Sequence, residues 1–203
     1  MTRVKICGVT RVDDALLAAE LGASAIGLVF WPDSPRFVEL KQARAIVAAL
    51  PPFVAAIGVF VNQVDLALTV ARDAGLTAVQ FHGDETPGQY RNFPVRVIKS
   101  VSVRDMSARE EAASVPGGAT VLLDAHDRVK RGGTGRVVDW SIAAMIARDR
   151  PVILSGGLNP ENVVEAVAAV APYAIDVSSG VELVFGRKDP AKLRALFGAL
   201  GEL

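Results

Sequence analysis

Eight short apolar runs recur along the chain, separated by amphipathic stretches rich in alanine and leucine. They lie at Val4–Cys7, Ala25–Phe30, Ala55–Val61, Ala78–Phe81, Val95–Lys99, Thr120–Asp124, Val152–Leu154 and Ala174–Val177. Continuous apolar runs, as opposed to alternating ones, are typical of parallel strands covered on both faces. Eight strand–helix units in 203 residues predict a single-domain α/β fold, a closed (βα)8 (TIM) barrel over residues 1–203. The alternative, an open doubly wound sheet, usually needs only about six strands.

The intervening stretches have helical spacing and recognisable ends. Helices are predicted at Asp13–Leu21, Leu40–Leu50, Gln63–Ala74, Thr86–Asn92, Asp105–Ser114, Ser141–Arg148, Pro160–Val170 and Pro190–Leu200. Pro160 directly after Asn159 is a good first helical residue after a capping residue. A further short helix is predicted near Val181–Val184, just after the eighth strand.

Composition narrows the class of protein. The 22 Lys and Arg balance the 22 Asp and Glu without a basic stripe, which argues against nucleic acid and membrane surfaces as partners. One cysteine cannot form an internal disulfide, and two histidines leave little for a metal site. The first residues do not resemble a signal peptide, so a soluble, cytoplasmic protein is expected. The helix faces show no apolar stripe beyond what a barrel needs, which favours a monomer; a homodimer is the alternative.

Side chains at the C-terminal ends of barrel strands face one common pocket. Cys7 ends the first strand and Asp124 the sixth. A thiolate there could act as a general base, although free cysteines are commonly buried and inert. A carboxylate beside so much apolar surface could act as a general acid, or it could instead orient a basic residue.

Two further strand ends carry basic side chains. Arg36, stiffened by Ser34-Pro35, could hold a substrate carboxylate in a bidentate fork, or it could form only a surface salt bridge. His82 could be a polar pocket wall or a substrate contact. No cluster at ligand spacing surrounds either histidine, so no metal is expected.

Glycine-rich segments follow the last two strands. Gly156-Gly157 would let the backbone approach an anion, and Ser178-Ser179-Gly180 would supply N–H and hydroxyl donors. Two such loops on adjacent strands favour a phosphate site over simple tight turns. Gly132-Gly133-Thr134-Gly135 lacks the spacing of a nucleotide-binding loop and is interpreted as a lid over the pocket.

These motifs occur together in one order, and in this combination the chain resembles the phosphoribosylanthranilate isomerase family of tryptophan biosynthesis. The matching segments are Lys5-Ile6-Cys7-Gly8, Ser34-Pro35-Arg36, Gln80-Phe81-His82-Gly83, Leu122-Leu123-Asp124, Gly132-Gly133-Thr134-Gly135 with Asp139-Trp140, Gly156-Gly157-Leu158 with Pro160-Glu161-Asn162-Val163, and Asp176-Val177-Ser178-Ser179-Gly180-Val181-Glu182. They span nearly the whole chain. Two departures concern the lid and the phosphate loop: Val138 stands where the family often has phenylalanine, and Phe185 lies where it often has proline.

The resemblance implies an activity and roles for the site residues. The reaction would be the Amadori rearrangement of N-(5′-phosphoribosyl)anthranilate to 1-(2-carboxyphenylamino)-1-deoxyribulose 5-phosphate, the third step from chorismate. Cys7 would be the general base, Asp124 the general acid and Arg36 the anchor of the anthranilate carboxylate. No metal or organic cofactor is implied, because the substrate nitrogen serves as the electron sink. The alternatives are a barrel that closes or cleaves a related phosphorylated ring, and a phosphate-binding module without catalysis.

Overall fold

A computed structural model describes residues 2–125 and 138–201. Strands and helices alternate in it, and eight parallel strands close into a barrel. The barrel strands are β1 (Arg3–Ile6), β2 (Ala25–Val29), β3 (Ala55–Phe60), β4 (Ala78–Phe81), β5 (Arg96–Val103), β6 (Ala119–Ala125), β7 (Val152–Leu154) and β8 (Ala174–Val177). The helices are α1 (Val12–Glu20), α2 (Leu40–Ala49), α3 (Val64–Ala74), α4 (Pro87–Tyr90), α5 (Ser107–Ser114), α6 (Trp140–Asp149), α7 (Val163–Val170) and α8 (Pro190–Gly201). The predicted fold class is confirmed.

Two hydrophobic layers hold the barrel together. The larger one fills the space between the strands and the surrounding helices. The smaller one fills the lower barrel interior with one residue from each of seven strands: Ala25, Ile57, Ala78, Ile98, Leu122, Ile153 and Ala174. Because side chains alternate along a strand, residues two positions further on also face inward, nearer the C-terminal mouth. These positions include Gln80, Asp124 and Asp176, so polar groups lie above an apolar floor.

The fifth strand is longer than its apolar run suggests. β5 extends to Val103 and stays paired with β6 up to Ala125. This pairing carries Asp124 beside Ser102 near the barrel mouth. Helix α4, which precedes β5, is short, and its single turn is fixed by a capping box between Thr86 and Gln89.

The seventh helix begins three residues later than predicted. Pro160 lies in a turn, and α7 starts at Val163 with Asn162 before it. The Asn159 carboxamide oxygen accepts hydrogen bonds from the backbone N–H groups of Glu161 and Asn162. These bonds stabilise a turn in place of the first helical turn that the Asn-Pro pattern predicted.

The short helix predicted near Val181–Val184 is present just after the eighth strand, but it is shorter and begins two residues earlier. A 3-10 turn covers Ser179–Val181, and the next residues form a hairpin of β9 (Glu182–Val184) and β10 (Arg187–Lys188). The hairpin turns through Gly186, whose φ is 78°. A buried ion pair between Glu182 and Lys188 joins the two strands. A helical sequence pattern does not reveal this pairing, so the hairpin could not be predicted from it.

None of the helices in the described ranges is long and apolar enough to cross a membrane. The glycine segment at residues 132–135, interpreted above as a lid, lies outside the described residues, as does His126.

Candidate active site

Cys7 lies at the end of β1, in a tightly packed part of the barrel mouth. Its exposure is 8 %, and it packs in a small cluster with Val29, Val59 and the partly buried Trp31. A Cβ at Gly27 would lie only 2.8 Å from its Sγ, so the glycine in β2 makes room for the thiol. The predicted position at the mouth is therefore compatible with both a buried thiol and a pocket wall.

A buried ion pair lies next to this thiol. Lys5 Nζ donates to Asp176 Oδ1 at 2.9 Å, and the two residues are partners in the β1–β8 register. Burial raises the pKa of the Cys7 thiol, and the Asp176 carboxylate raises it further, while the Lys5 ammonium acts in the opposite direction. Cys7 in the free protein is consequently a protonated thiol at neutral pH, and a cation close to it would favour the thiolate.

Asp124 lies on β6, which is separated from β1 by β7 and β8 on the shorter path around the barrel. The residue is 5 % exposed. Oδ1 accepts the Ala125 backbone N–H at 2.9 Å, and Oδ2 lies 3.2 Å from His82 Nε2. His82 is thus a direct partner of the carboxylate, a relation that the sequence did not indicate. A substrate across the mouth would have a thiol on one side and a carboxyl group on the other.

The loop that follows β4 and carries His82 is held in place by the buried side chains of Lys99 and Glu85. Lys99 Nζ donates to the carbonyl of Gly83 at 2.6 Å and pairs with Glu85 Oε2 at 3.2 Å. Glu85 in turn accepts backbone N–H bonds from Gly83 and Asn62. The imidazole is therefore held against Asp124 by a rigid loop.

Arg36 is buried and already holds a carboxylate, so a surface salt bridge is excluded. Its Nε and Nη2 donate to the two oxygens of Glu182 at 2.9 and 2.6 Å. Lys188 Nζ contacts Glu182 Oε1 at 3.0 Å. Although burial acts to raise the pKa of the Glu182 carboxyl, these two cations hold it below its ordinary value. Nothing in the sequence indicated Lys188, and Glu182 appeared only as the last residue of a family motif, with nothing to link it to Arg36.

The guanidinium of Arg36 also lies beside the Cys7–Gly8 turn. A Cβ at Gly8, whose φ is 69°, would lie 2.4 Å from Arg36 Cδ. The ring of Phe185 stacks on the guanidinium at 5.1 Å. A guanidinium has five N–H donors, and the fork to Glu182 uses the Nε and Nη2 edge, so Nη1 is not part of that pair.

The loops after β7 and β8 are adjacent and closely packed. Gly156 and Gly157 both have positive φ, 86° and 68°. A Cβ at Gly180 would lie 2.0 Å from the Leu158 carbonyl oxygen, so only glycine fits there. The Ser178 hydroxyl donates to the Cys7 carbonyl at 3.1 Å, which ties this loop to β1. Ser179 and Gly180 are half-buried in the 3-10 turn.

In residues 2–125 and 138–201, no group of three or more His, Cys, Asp and Glu side chains is arranged to hold a metal ion. The chain is a (βα)8 barrel with a thiol, a carboxyl group and a guanidinium near one mouth, where the glycine-rich loops after β7 and β8 also lie.

Comparison with known proteins defines the family. Residues 4–199 match the family model described as N-(5′-phosphoribosyl)anthranilate (PRA) isomerase. The N-(5′-phosphoribosyl)anthranilate isomerase of Citrifermentans bemidjiense is 47% identical over 197 residues, covering 97% of this chain and 95% of that protein. The corresponding protein of Azotobacter vinelandii is 50% identical over 198 residues, covering 95% and 94%. The chain belongs to the N-(5′-phosphoribosyl)anthranilate isomerase family.

Solved structures agree with this assignment. The crystal structure of phosphoribosyl anthranilate isomerase from Thermotoga maritima superposes with a TM-score of 0.92 at 42% identity, over 100% of both chains. A phosphoribosyl anthranilate isomerase in complex with reduced 1-(o-carboxyphenylamino)-1-deoxyribulose 5-phosphate gives 0.89 at 41% identity, again over 100% of both.

Proposed function

We propose that this chain catalyses the isomerisation of N-(5′-phosphoribosyl)anthranilate to 1-(2-carboxyphenylamino)-1-deoxyribulose 5-phosphate, as a single domain over residues 1–203, in tryptophan biosynthesis in the cytoplasm. The observation that carries the proposal is the pair of Cys7 and Asp124 at the ends of β1 and β6, on separate sides of one barrel mouth. An aldose-to-ketose rearrangement needs an acid at the ring oxygen and a base at the neighbouring carbon. The choice of N-(5′-phosphoribosyl)anthranilate as the substrate rests on the family to which the chain belongs.

The reaction begins at Asp124. The protonated carboxyl group gives its proton to the furanose oxygen, the C1–O bond breaks, and the nitrogen lone pair forms an iminium. The resulting Asp124 carboxylate is stabilised by the N–H groups of His82 and Ala125 that already contact it.

Cys7 acts in the second step. The iminium makes the C2 proton acidic, and its positive charge favours loss of the Cys7 thiol proton to solvent, which leaves the thiolate. The thiolate removes the C2 proton, and the C–H electron pair forms the enolamine while nitrogen regains its lone pair. The enol proton is then lost and carbon C1 gains a proton, which gives the ketone. Electrons stay within the substrate, so no cofactor takes part.

The test of this proposal is direct identification of the product. Purified protein is mixed with freshly generated substrate labelled with 13C at C1 and C2 of the ribosyl group, in EDTA. A C2 resonance in the ketone region and a C1 methylene resonance support the proposal. A bound substrate whose anomeric C1 is unchanged overturns the proposal and favours a phosphate-binding module. A ring-closed or cleaved product also overturns it and favours another sugar-phosphate barrel.

Arg36 is proposed to bind the anthranilate carboxylate through its remaining N–H edge while Glu182 holds its position. Arg36→Lys keeps the charge but loses the planar fork. Because a hydrogen bond to a charged group contributes about 1.5–3 kcal/mol, we expect KM to rise by about 10- to 100-fold with a smaller change in kcat. Steady-state kinetics checks this, with the exposed Arg72→Lys on α3 as control. A fall in kcat at unchanged KM would show that Arg36 does not anchor the substrate.

The phosphate is proposed to bind at the backbone of Gly156, Gly157, Ser178, Ser179 and Gly180. Gly180→Ala would force the β7 and β8 loops apart, because its Cβ would clash with the Leu158 carbonyl. We expect a loss of about 1–3 kcal/mol in the free energy of unfolding and a higher KM. Gly198→Ala, where a Cβ meets nothing within 4 Å on α8, is the matched control and should be neutral or stabilising. Equal effects of the two substitutions would contradict the proposal.

His82 is proposed to act mainly through Asp124 and to border the substrate site from there.

The predicted oligomeric state is a monomer without nucleic-acid or membrane partners. Light scattering tests it, since a monomer has a mass of 21.4 kDa and a homodimer twice that value.

A further inference from the structure

Gln80 lies buried below the mouth and contacts the side of His82 away from Asp124. It is 1 % exposed, and its Nε2 lies 2.9 Å from His82 Nδ1. The other imidazole nitrogen, Nε2, lies 3.2 Å from Asp124 Oδ2. The three side chains therefore form a row from the barrel interior to the proposed acid.

The hydrogen-bonding roles in this row follow from counting donors. With the amide NH2 towards His82, Nδ1 must accept, so the imidazole carries its proton on Nε2 and donates to Asp124. Gln80 Oε1 then has no hydrogen-bond partner among the described residues. The reverse amide orientation would leave the NH2 group in that place, and an orphaned buried N–H group is rarer than an under-satisfied C=O. The row thus favours NH2 towards Nδ1.

We infer that Gln80 is a positioning residue that keeps His82 a hydrogen-bond donor towards Asp124 in both protonation states of the acid. When Asp124 is ionised, the carboxylate alone would select the Nε2–H tautomer. When Asp124 is protonated, an unrestrained imidazole could turn to the Nδ1–H tautomer and accept the acid's proton on Nε2. The Gln80 amide prevents this by occupying the Nδ1 lone pair, so the proton remains available for the substrate.

This inference rests on the proposed function for its catalytic meaning, but its structural part can be tested in the free protein. The chain has only two histidines, so 15N spectra of histidine-labelled protein are simple, and a His126→Gln variant assigns them. In the wild type, we expect Nε2 of His82 to be protonated and Nδ1 to be bare. The Asp124→Asn variant, which replaces the carboxylate by a neutral group, should keep this pattern.

Two substitutions at Gln80 then test its role. Gln80→Met has similar length but cannot donate, so in combination with Asp124→Asn we expect the Nδ1–H tautomer to appear. With Asp124 intact, kcat should fall by about 10- to 100-fold, the size of effect seen when a metal-bound histidine loses the partner that orients it. Gln80→Glu provides an acceptor in place of the donor, so we expect a proton on Nδ1 of His82. This should hold both with Asp124 intact and in combination with Asp124→Asn.

Ile98→Val is the matched control, because Ile98 is the register partner of Gln80 on β5 and faces the same apolar interior. The loss of one methylene should leave both the nitrogen spectrum and kcat within about twofold of the wild type. Protonated Nδ1 in the wild-type protein would overturn the inference. So would a Gln80→Met variant that has the wild-type kcat and that keeps the Nε2–H pattern when combined with Asp124→Asn. The nitrogen spectra do not depend on whether the wild type converts phosphoribosylanthranilate, which is tested separately.

Discussion

Asp124→Asn is expected to lower kcat by about 10²- to 10⁴-fold, the usual contribution of a positioned general acid. The amide has the same shape as the carboxyl group, but Ala125 N–H and His82 Nε2 contact different carboxylate oxygens, so the single amide oxygen can accept only one of these two bonds. The amide cannot give a proton to the ring oxygen, so the first bond cleavage loses its acid while substrate contacts remain.

This change in kcat can be separated from a loss of folding or of binding. Thermal unfolding should show a folded barrel, and KM should stay within a fewfold of the wild-type value. Exposed Asp65→Asn on α3 provides a control for loss of one carboxylate. An Asp124→Asn variant with kcat close to that of the wild type would show that another group protonates the substrate.

Cys7→Ser is expected to reduce kcat by a similar factor of about 10²- to 10⁴-fold. Serine fits the narrow space beside Gly27, but its hydroxyl ionises far less readily than a thiol, so a base is no longer available for the C2 proton. Because serine is close to cysteine in size and shape, the variant should bind substrate and product with nearly unchanged affinity.

The pH dependence of Cys7 follows from its surroundings. Its pKa is raised by burial and by Asp176, so the thiolate fraction of the free protein is small at neutral pH and grows as pH rises through that raised pKa. Since Cys7 is the only cysteine in the chain, iodoacetamide reports on it alone. The alkylation rate should therefore still increase above the range where an ordinary thiol is fully ionised. A rate that levels off at or below the pH where an ordinary thiol, with a pKa of about 8.5, is fully ionised would contradict this description of the site.

Much of the fold could be predicted from the sequence because each strand–helix unit carries its own local signals. Continuous apolar runs and glycine or proline punctuation located all eight barrel strands. The same signals located the ends of most helices, such as α3 before Gly75. The short elements failed where side-chain hydrogen bonds decide the backbone path. Asn159 stabilises a turn before α7, and Glu182 begins a hairpin held by buried ions.

The positions of Cys7 and Asp124 could be predicted because they are the last residues of apolar runs. Their partners could not, because contacts in the barrel interior join residues far apart in sequence. Lys5 and Asp176 are separated by 171 positions, and Arg36 and Glu182 by 146. Gln80 was visible only as part of a family motif, and its alignment with His82 and Asp124 appears only once β4 and its loop are placed.

The measurement that tests the central claim most directly follows anthranilate fluorescence as phosphoribosylanthranilate is added in the presence of EDTA. Wild type, Cys7→Ser and Asp124→Asn are compared at equal, folded concentration. The acid–base pair predicts rapid loss of substrate signal with the wild type and rates lower by about 10²- to 10⁴-fold with both variants. Wild-type protein that binds the substrate without converting it, or variants that convert it at the wild-type rate, would contradict the account.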